Sequence, residues 1–182
     1  MAEPDLLLAP LKPASVAPRL WTGAGFVADT WHTLGPDDTL PIEGRAIVSL
    51  ARWRAEQASI AALGVPVGVK LLPGEALDGS TDDIARLGVI ALVFPKFTDG
   101  RAYSTARHLR DVLDYRGEIR ATGDVLLDQL PLMLRCGFNA FEIVNAATLR
   151  ALVQAPVPAV SRIYQRGAEV SPTVWRSRRA TG

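Results

Sequence analysis

The residues best suited to chemistry fall in three short stretches. They are Pro95-Lys96-Phe97-Thr98-Asp99-Gly100-Arg101, then Thr122-Gly123-Asp124, and finally Glu142 with Asn145. The first sets two cations, Lys96 and Arg101, and a carboxylate, Asp99, beside an aromatic ring just ahead of a helix. A helix N-terminus presents unpaired N–H groups and the positive end of its dipole, so cations placed there make a seat for a small anion. Lys96, Thr98, Asp99, Arg101, Arg120, Asp124 and Glu142 are the candidate anion- or ligand-binding residues. Each has a plainer use. Asp99-Gly100 is a turn dipeptide, Asp124 is a good N-cap, and Glu142 is a partner for Arg120 or Arg135. Two cations beside an aromatic in one loop are harder to assign to packing than any single member. No residue is assigned a catalytic role.

Other chemistries lack the residue types they need. Cys136 is the single cysteine, and His32 and His108 are the two histidines. One cysteine makes no internal disulfide, Cys-rich zinc site or iron–sulfur cluster. Cys136 falls at a helix C-terminus, where the negative end of the dipole raises a thiol pKa, and it reads as structural. His108 sits among arginines, off the apolar face of its helix. His32 has no neighbour to orient it as a base. A reductase needs an electron carrier, yet the chain has no GxGxxG fingerprint and no phosphate-binding loop. The nearest glycine cluster, Gly23-Ala24-Gly25, does not join a strand to a helix. No cofactor and no metal are therefore expected.

Twenty Lys and Arg oppose nineteen Asp and Glu, a formal net charge of +1, which gives no case for a nucleic-acid partner. The opening MAEPDLLLAP has no basic region, and Pro10 cuts its apolar run, so it reads as neither signal peptide nor anchor. No apolar run approaches the ~20 residues needed to span a bilayer. A cytoplasmic location is expected.

The elements that must position these residues read as βα units. Ser49 can cap a helix from about Leu50 to Leu63 that stops at Gly64. Strands follow at Val65–Leu72, Val89–Phe94, Ile119–Thr122 and Phe138–Val144. Helices are expected from Thr81 or Asp82 to Leu87, Tyr103 to Tyr115, Val125 to Arg135 with Asp124 as cap and a break at Pro131, and from Asn145 through Val153. The unbroken apolar run VIALVF suits a strand buried on both faces. Repeated crossovers imply an α/β fold with a mainly parallel sheet, either an incomplete TIM-barrel-like sheet or an open doubly wound one. Three regions are expected: a lead-in over 1–46 with a short strand or hairpin near Trp21–Trp31, an α/β domain over 47–170, and a flexible tail over 171–182. Ligands in such folds bind at the carboxyl ends of the strands, where all three stretches lie.

The segment FPKFTDGRAYSTARHLRD followed by YRGEIRATGDVLLDQLPLMLRCGFNAFEI resembles the bacterial family known as domain of unknown function 934. The runs FPKFTDGR, RGEIRATGDVLLDQ and RCGF carry the resemblance, over about residues 89–144. Members of that family are labelled probable oxidoreductases of assimilatory sulfite reduction, from gene neighbourhood. The resemblance thus implies an accessory protein or enzyme of sulfite reduction, and the cations of the 95–101 loop add to it the expected handling of a small anion there. A second reading is a non-catalytic partner docking on sulfite reductase or its electron donor. A third is a barrel-like enzyme acting on a phosphorylated metabolite. Charges converging in a concave pocket favour the first, and a flat charged face with exposed apolar neighbours favours the second.

From the absence of cysteine, histidine and glycine motifs, the purified protein is expected to be colourless and metal-free. A visible absorption band, or stoichiometric iron or zinc by elemental analysis, would refute this.

Overall fold

The computed structural model describes residues 17–62, 64–77, 81–155 and 157. The expectations for the first sixteen residues and for the tail over 171–182 lie outside the described residues. Eight strands build one sheet: β1 (Arg19–Thr22), β2 (Gly25–Val27), β3 (Trp31–Thr33), β4 (Arg45–Ser49), β5 (Val67–Leu71), β6 (Val89–Phe94), β7 (Glu118–Gly123) and β8 (Ala140–Ile143). Their order is β2-β1-β8-β7-β6-β5-β4-β3. Every neighbouring pair from β3 to β8 is parallel. β1 runs antiparallel to both β2 and β8, so the sheet as a whole is mixed. The parallel run expected from the βα pattern is present, and the Trp21 region adds the antiparallel edge as a tight hairpin turning at Gly23-Ala24.

The helices are α1 (Leu50–Ala55), α2 (Gln57–Ala62), α3 (Thr81–Ala85), α4 (Arg101–Asp111), α5 (Leu130–Cys136) and α6 (Ala146–Gln154). Two caps fall where the sequence puts them. Ser49 Oγ accepts from the Arg52 N–H, and Asn145 Oδ1 accepts from the N–H groups of Ala147 and Thr148. Gly137 ends α5 at φ 103°, the left-handed conformation that glycine adopts without penalty.

Four expectations need correcting. The single helix over 50–63 is two, separated at Glu56, the C-cap of α1. The regular part does not open with a helix, because Arg45–Ser49 is itself a strand between β3 and β5. Only its middle three residues are buried, too short a run to show a period. Asp124 does not cap a helix over 125–135. A 3-10 turn at Leu127–Gln129 comes first, α5 starts at Leu130 with Pro131 in its first turn, and the Asp124 carboxylate is used elsewhere. The helix after β6 begins at Arg101 rather than Tyr103 and stops at Asp111.

The two faces of the sheet differ. Ile90, Leu92 and Phe94 of β6 pack in one core with Val69, Ile119 and Phe141 of the other strands and with Leu50, Ile60, Ile84, Leu109, Met133 and Leu149 of the six helices. All the helices thus lie on one side. That follows from the topology: β3 to β8 advance one neighbour at a time, and right-handed crossovers in one direction stack their helices on one face. The opposite face carries a smaller cluster of Trp31, Ile47, Val89 and Ala91. β6 is buried on both faces, as its unbroken apolar run requires.

Chain connectivity forces that second face to curl inward. β2 and β3 are the two outermost strands, yet only Ala28, Asp29 and Thr30 join them. Extended chain from Val27 to Trp31 spans at most about 14 Å. In a flat sheet the seven strand spacings would set those edges about 34 Å apart. The sheet is accordingly a curled half-barrel. The short connection runs as a strap across its hollow. Arg120, central on β7 and 1 % exposed, holds the strap from inside. Its two terminal nitrogens donate to the Asp29 carboxylate at 2.6 and 3.0 Å, and its Nε donates to Glu118 at 2.7 Å. The Trp31 N–H also donates to Asp29, at 3.0 Å. The Trp31 ring then reaches over to Gly88 at the start of β6, where an added Cβ would lie 2.5 Å from Cη2 of the indole. Strap, ring and ion pair together fill the amino end of the hollow.

Burial alone would raise the Asp29 carboxyl, but its hydrogen bonds from Arg120 and the Trp31 N–H outweigh that and hold it below the ordinary carboxylate value. The stabilisation is complete above the unfolded pKa of about 3.9 and is lost as pH falls through the lower folded value. Asp29→Asn is therefore expected to cost about 2–3 kcal/mol at neutral pH, below the range for fully buried pairs because Asp29 is partly exposed. Urea midpoints measured from neutral to acid pH should show the wild type losing its advantage over the variant below about pH 4. Equal midpoints at neutral pH would show that the strap is not held by this pair.

Candidate functional site

The carboxyl ends of the parallel strands make two distinct surfaces: a rim of loops and, inside it, the hollow of the half-barrel.

The rim is built on β6 and β7. Gly123 closes β7 with φ 91°, and a Cβ there would meet the Phe94 carbonyl oxygen at 2.3 Å, so only glycine permits the close approach of the two strand ends. The Asp124 N–H then donates to that carbonyl at 2.8 Å. The Asp124 carboxylate accepts from the Phe97 N–H at 3.0 Å, and Gln129 Nε2 donates to the Phe97 carbonyl at 2.7 Å. Phe97 is held by its backbone from both sides while its ring stays 51 % exposed. Behind the rim, Phe94, Tyr103 and Phe138 pack with ring centroids 5.4 to 6.3 Å apart and stiffen the strand ends.

Within the same loop the cation at Arg101 is already occupied. Its Nε and one terminal nitrogen donate to the two Asp99 oxygens at 3.0 and 2.7 Å, and its other terminal nitrogen reaches the Pro73 carbonyl at 3.4 Å. The Arg101 backbone N–H, the first of α4, also donates to Asp99 at 3.2 Å. Hydrogen bonding from Arg101 holds the Asp99 carboxyl below its ordinary value, and Asp99 in turn raises Arg101. The anion at this helix start is the chain's own carboxylate. Lys96 and Thr98 are exposed, and Lys96 forms no ion pair among the described residues. The contact to Pro73 draws the 72–75 loop alongside, and there Leu72 is 54 % exposed.

Of the seven residues picked from sequence, the structure brings Lys96, Thr98, Asp99, Arg101 and Asp124 into one rim. Arg120 is set apart in the hollow, with its donors engaged by Asp29 and Glu118 rather than by Glu142. Glu142 also leaves the rim. It alternates with the buried Phe141 and Ile143, and so projects on the hollow side of β8. No hydrogen bond or ion pair joins it to the 95–101 loop among the described residues.

Two further residues lie on the hollow side: Lys70, which sequence reasoning missed, and Thr122, which it had grouped with Gly123 and Asp124 in a strand-end loop. Lys70 on β5 alternates with Val69 and Leu71, which face the helices, so it lies on the hollow side beside Ser49 and Ala91. Thr122 on β7 lies on the same side, next to Val93. Its hydroxyl is buried and has no hydrogen-bond partner. A lysine interrupting the otherwise apolar VPVGVKLL was the available signal for Lys70.

Cys136 is half-buried at the end of α5. Burial pushes its thiol up, and the nearby Arg107 and Arg135 offset that in part, which suits a structural residue better than a reactive one. No group of three or more His, Cys, Asp or Glu suited to hold a metal occurs among the described residues. No described helix is long and apolar enough to cross a membrane.

No curated protein matches the chain. The model of a bacterial protein family of unknown function, DUF934, matches residues 68–175, which take in nearly all of β5, all of β6 to β8 and the 95–101 rim, while the strap at Asp29 lies outside the match. That match covers more than half of the chain, and the chain belongs to this family.

Proposed function

We propose that the protein serves assimilatory sulfite reduction as an accessory protein that docks on sulfite reductase or its electron donor through the rim of the half-barrel. The link to sulfite reduction rests on the resemblance set out from the FPKFTDGR and RGEIRATGDVLLDQ runs. The docking mode rests on one observation. The loop neutralises its own Arg101 with Asp99 and leaves Phe97 51 % exposed, and Leu72 in the 72–75 loop is 54 % exposed. Exposed apolar side chains on backbone-anchored loops beside a lysine have the make-up of interface anchors. Small-anion binding in the same loop is the weaker reading, because Asp99 already occupies the first N–H of α4 and the guanidinium that an anion would use.

The test is affinity capture from the native cell, with sulfite added or withheld, followed by growth on sulfate as sole sulfur source. Wild-type protein should retain sulfite reductase or its electron donor. Phe97→Ala with Leu72→Ala should weaken capture by at least about tenfold, equivalent to ~1.4 kcal/mol, while melting within a few degrees of the wild type. Lys96→Ala should leave capture and growth near normal if the rim docks through Phe97 and Leu72, and impair growth with capture intact if the loop works as an anion site. Undiminished capture and growth with the Phe97/Leu72 double variant at normal abundance would remove the docking surface.

A further inference from the structure

A cleft of about 170 Å³ opens at the amino ends of β5 and β6, the opposite end of the strands from the rim. Its floor is apolar: Trp53 of α1, Ile60 of α2, Val67 of β5 and Leu87 after α3 are each 4 to 7 % exposed. Gly64 at its edge turns at φ 67°, and nothing lies within 4 Å of the place its Cβ would take. The Trp53 indole N–H makes no hydrogen bond among the described residues, and it is not one of the sealed unsatisfied atoms, which are Thr122 Oγ1 and Arg135 Nε. The little surface that this ring keeps therefore takes in the N–H, and the space it lines is the cleft. The Arg86 side chain, exposed on the lining, forms no ion pair or hydrogen bond among the described residues. Asp83, also on the lining, already has a partner. The uncommitted charge at the mouth is thus a cation, and Gln57 adds an exposed amide there.

We propose that this cleft binds a small apolar monocarboxylate, an aromatic or branched-chain acid. Small-molecule sites are concave and mostly apolar, with a few polar groups that fix the ligand's orientation. The size fits, since an apolar cavity of ~150 Å³ takes up a benzene ring. The polar groups narrow the class. A buried indole N–H normally has an acceptor, and leaving it unpaired costs free energy. The indole and the guanidinium both donate and neither accepts, so both call for an acceptor, and Arg86 favours a charged one. A neutral hydrocarbon would fill the floor and leave the N–H unpaired. A small inorganic anion would meet Arg86 and leave the floor to water. An amine would be repelled. A carboxylate on a compact apolar body meets the donors with its oxygens while the body covers Trp53 and Ile60. The Gln57 amide has donors to add to the same group. This site is separate from the rim and does not depend on docking.

The experiment is calorimetric and fluorescence titration of the purified full-length chain with benzoate, phenylacetate and isovalerate. Acetate, which lacks the apolar body, and benzyl alcohol, which lacks the charge, are the controls. At least one of the three acids should bind at millimolar concentration or tighter, and both controls at least about tenfold more weakly. Binding should change the tryptophan emission of the wild type, and Trp53→Phe should abolish that change. Arg86→Gln, at an exposed position, should keep the wild-type Tm and weaken binding at least about tenfold. Ala61→Leu, also exposed, sets a larger side chain into the cleft and should block binding in a protein that melts as the wild type does. These two variants carry the test even where Trp53→Phe folds poorly. Failure of all three acids to bind overturns the proposal, as does binding unchanged in both Arg86→Gln and Ala61→Leu. Benzyl alcohol binding as tightly as the best acid would remove the carboxylate from the ligand class and overturn the assignment. Acetate binding as tightly would make this a surface anion site and overturn it equally.

Discussion

Everything at the open end of this molecule depends on an ion pair at the closed end. Arg120 projects from the middle of the sheet and grips Asp29 on the three residues that link the two outermost strands. A guanidinium left buried without a carboxylate would be costly, and a carboxylate alone on the strap would have no reason to enter the hollow. Together they convert the geometric demand of a short connection into one defined curvature. Asp29 also orients the Trp31 N–H, whose ring lies on Gly88 at the amino end of β6. The curvature in turn decides which side chains of β5, β7 and β8 share a space.

The same arrangement separates two kinds of surface that lie close together in sequence. Residues 95–101 form a rim in which Arg101 and Asp99 satisfy each other and Phe97 faces out. Inside it, the strand charge at Arg120 is paired with Asp29 and Glu118. Asp124 belongs to the first surface although Thr122, two residues before it, belongs to the second. The left-handed turn at Gly123 is what sends the chain from one to the other.

The sequence made the parallel run legible because its signals are local. An unbroken apolar stretch identified β6, a serine and an asparagine marked two helix starts, and Gly137 marked a helix end. The loop at 95–101 was legible as a strand-end loop for the same reason. What stayed hidden depends on distant partners. β4 is too short to show periodicity, and its character comes from lying between β3 and β5. Asp124 has the residue type of a cap, but a backbone N–H twenty-seven residues earlier takes its carboxylate. Asp29 carries no local sign of its role, because its partner lies ninety-one residues away. Lys70 could be placed in a strand, but nothing before the topology was known said that its side of the sheet was the hollow one.

The pairing of β1 with β8 has a kinetic side. Leu20 lies against Glu142, so the first described strand finds its place only beside the last. Contacts of such separation form slowly, since the entropy of closing a long loop comes before any reward. On a ribosome, the stretch from β4 to β7 can assemble neighbour by neighbour as it emerges, while the β1–β2 hairpin waits for β8 to present an edge. The strap and its aspartate must therefore settle late, onto an Arg120 already in place. The hollow that the strap closes becomes a defined space only when the final βα unit has left the exit tunnel.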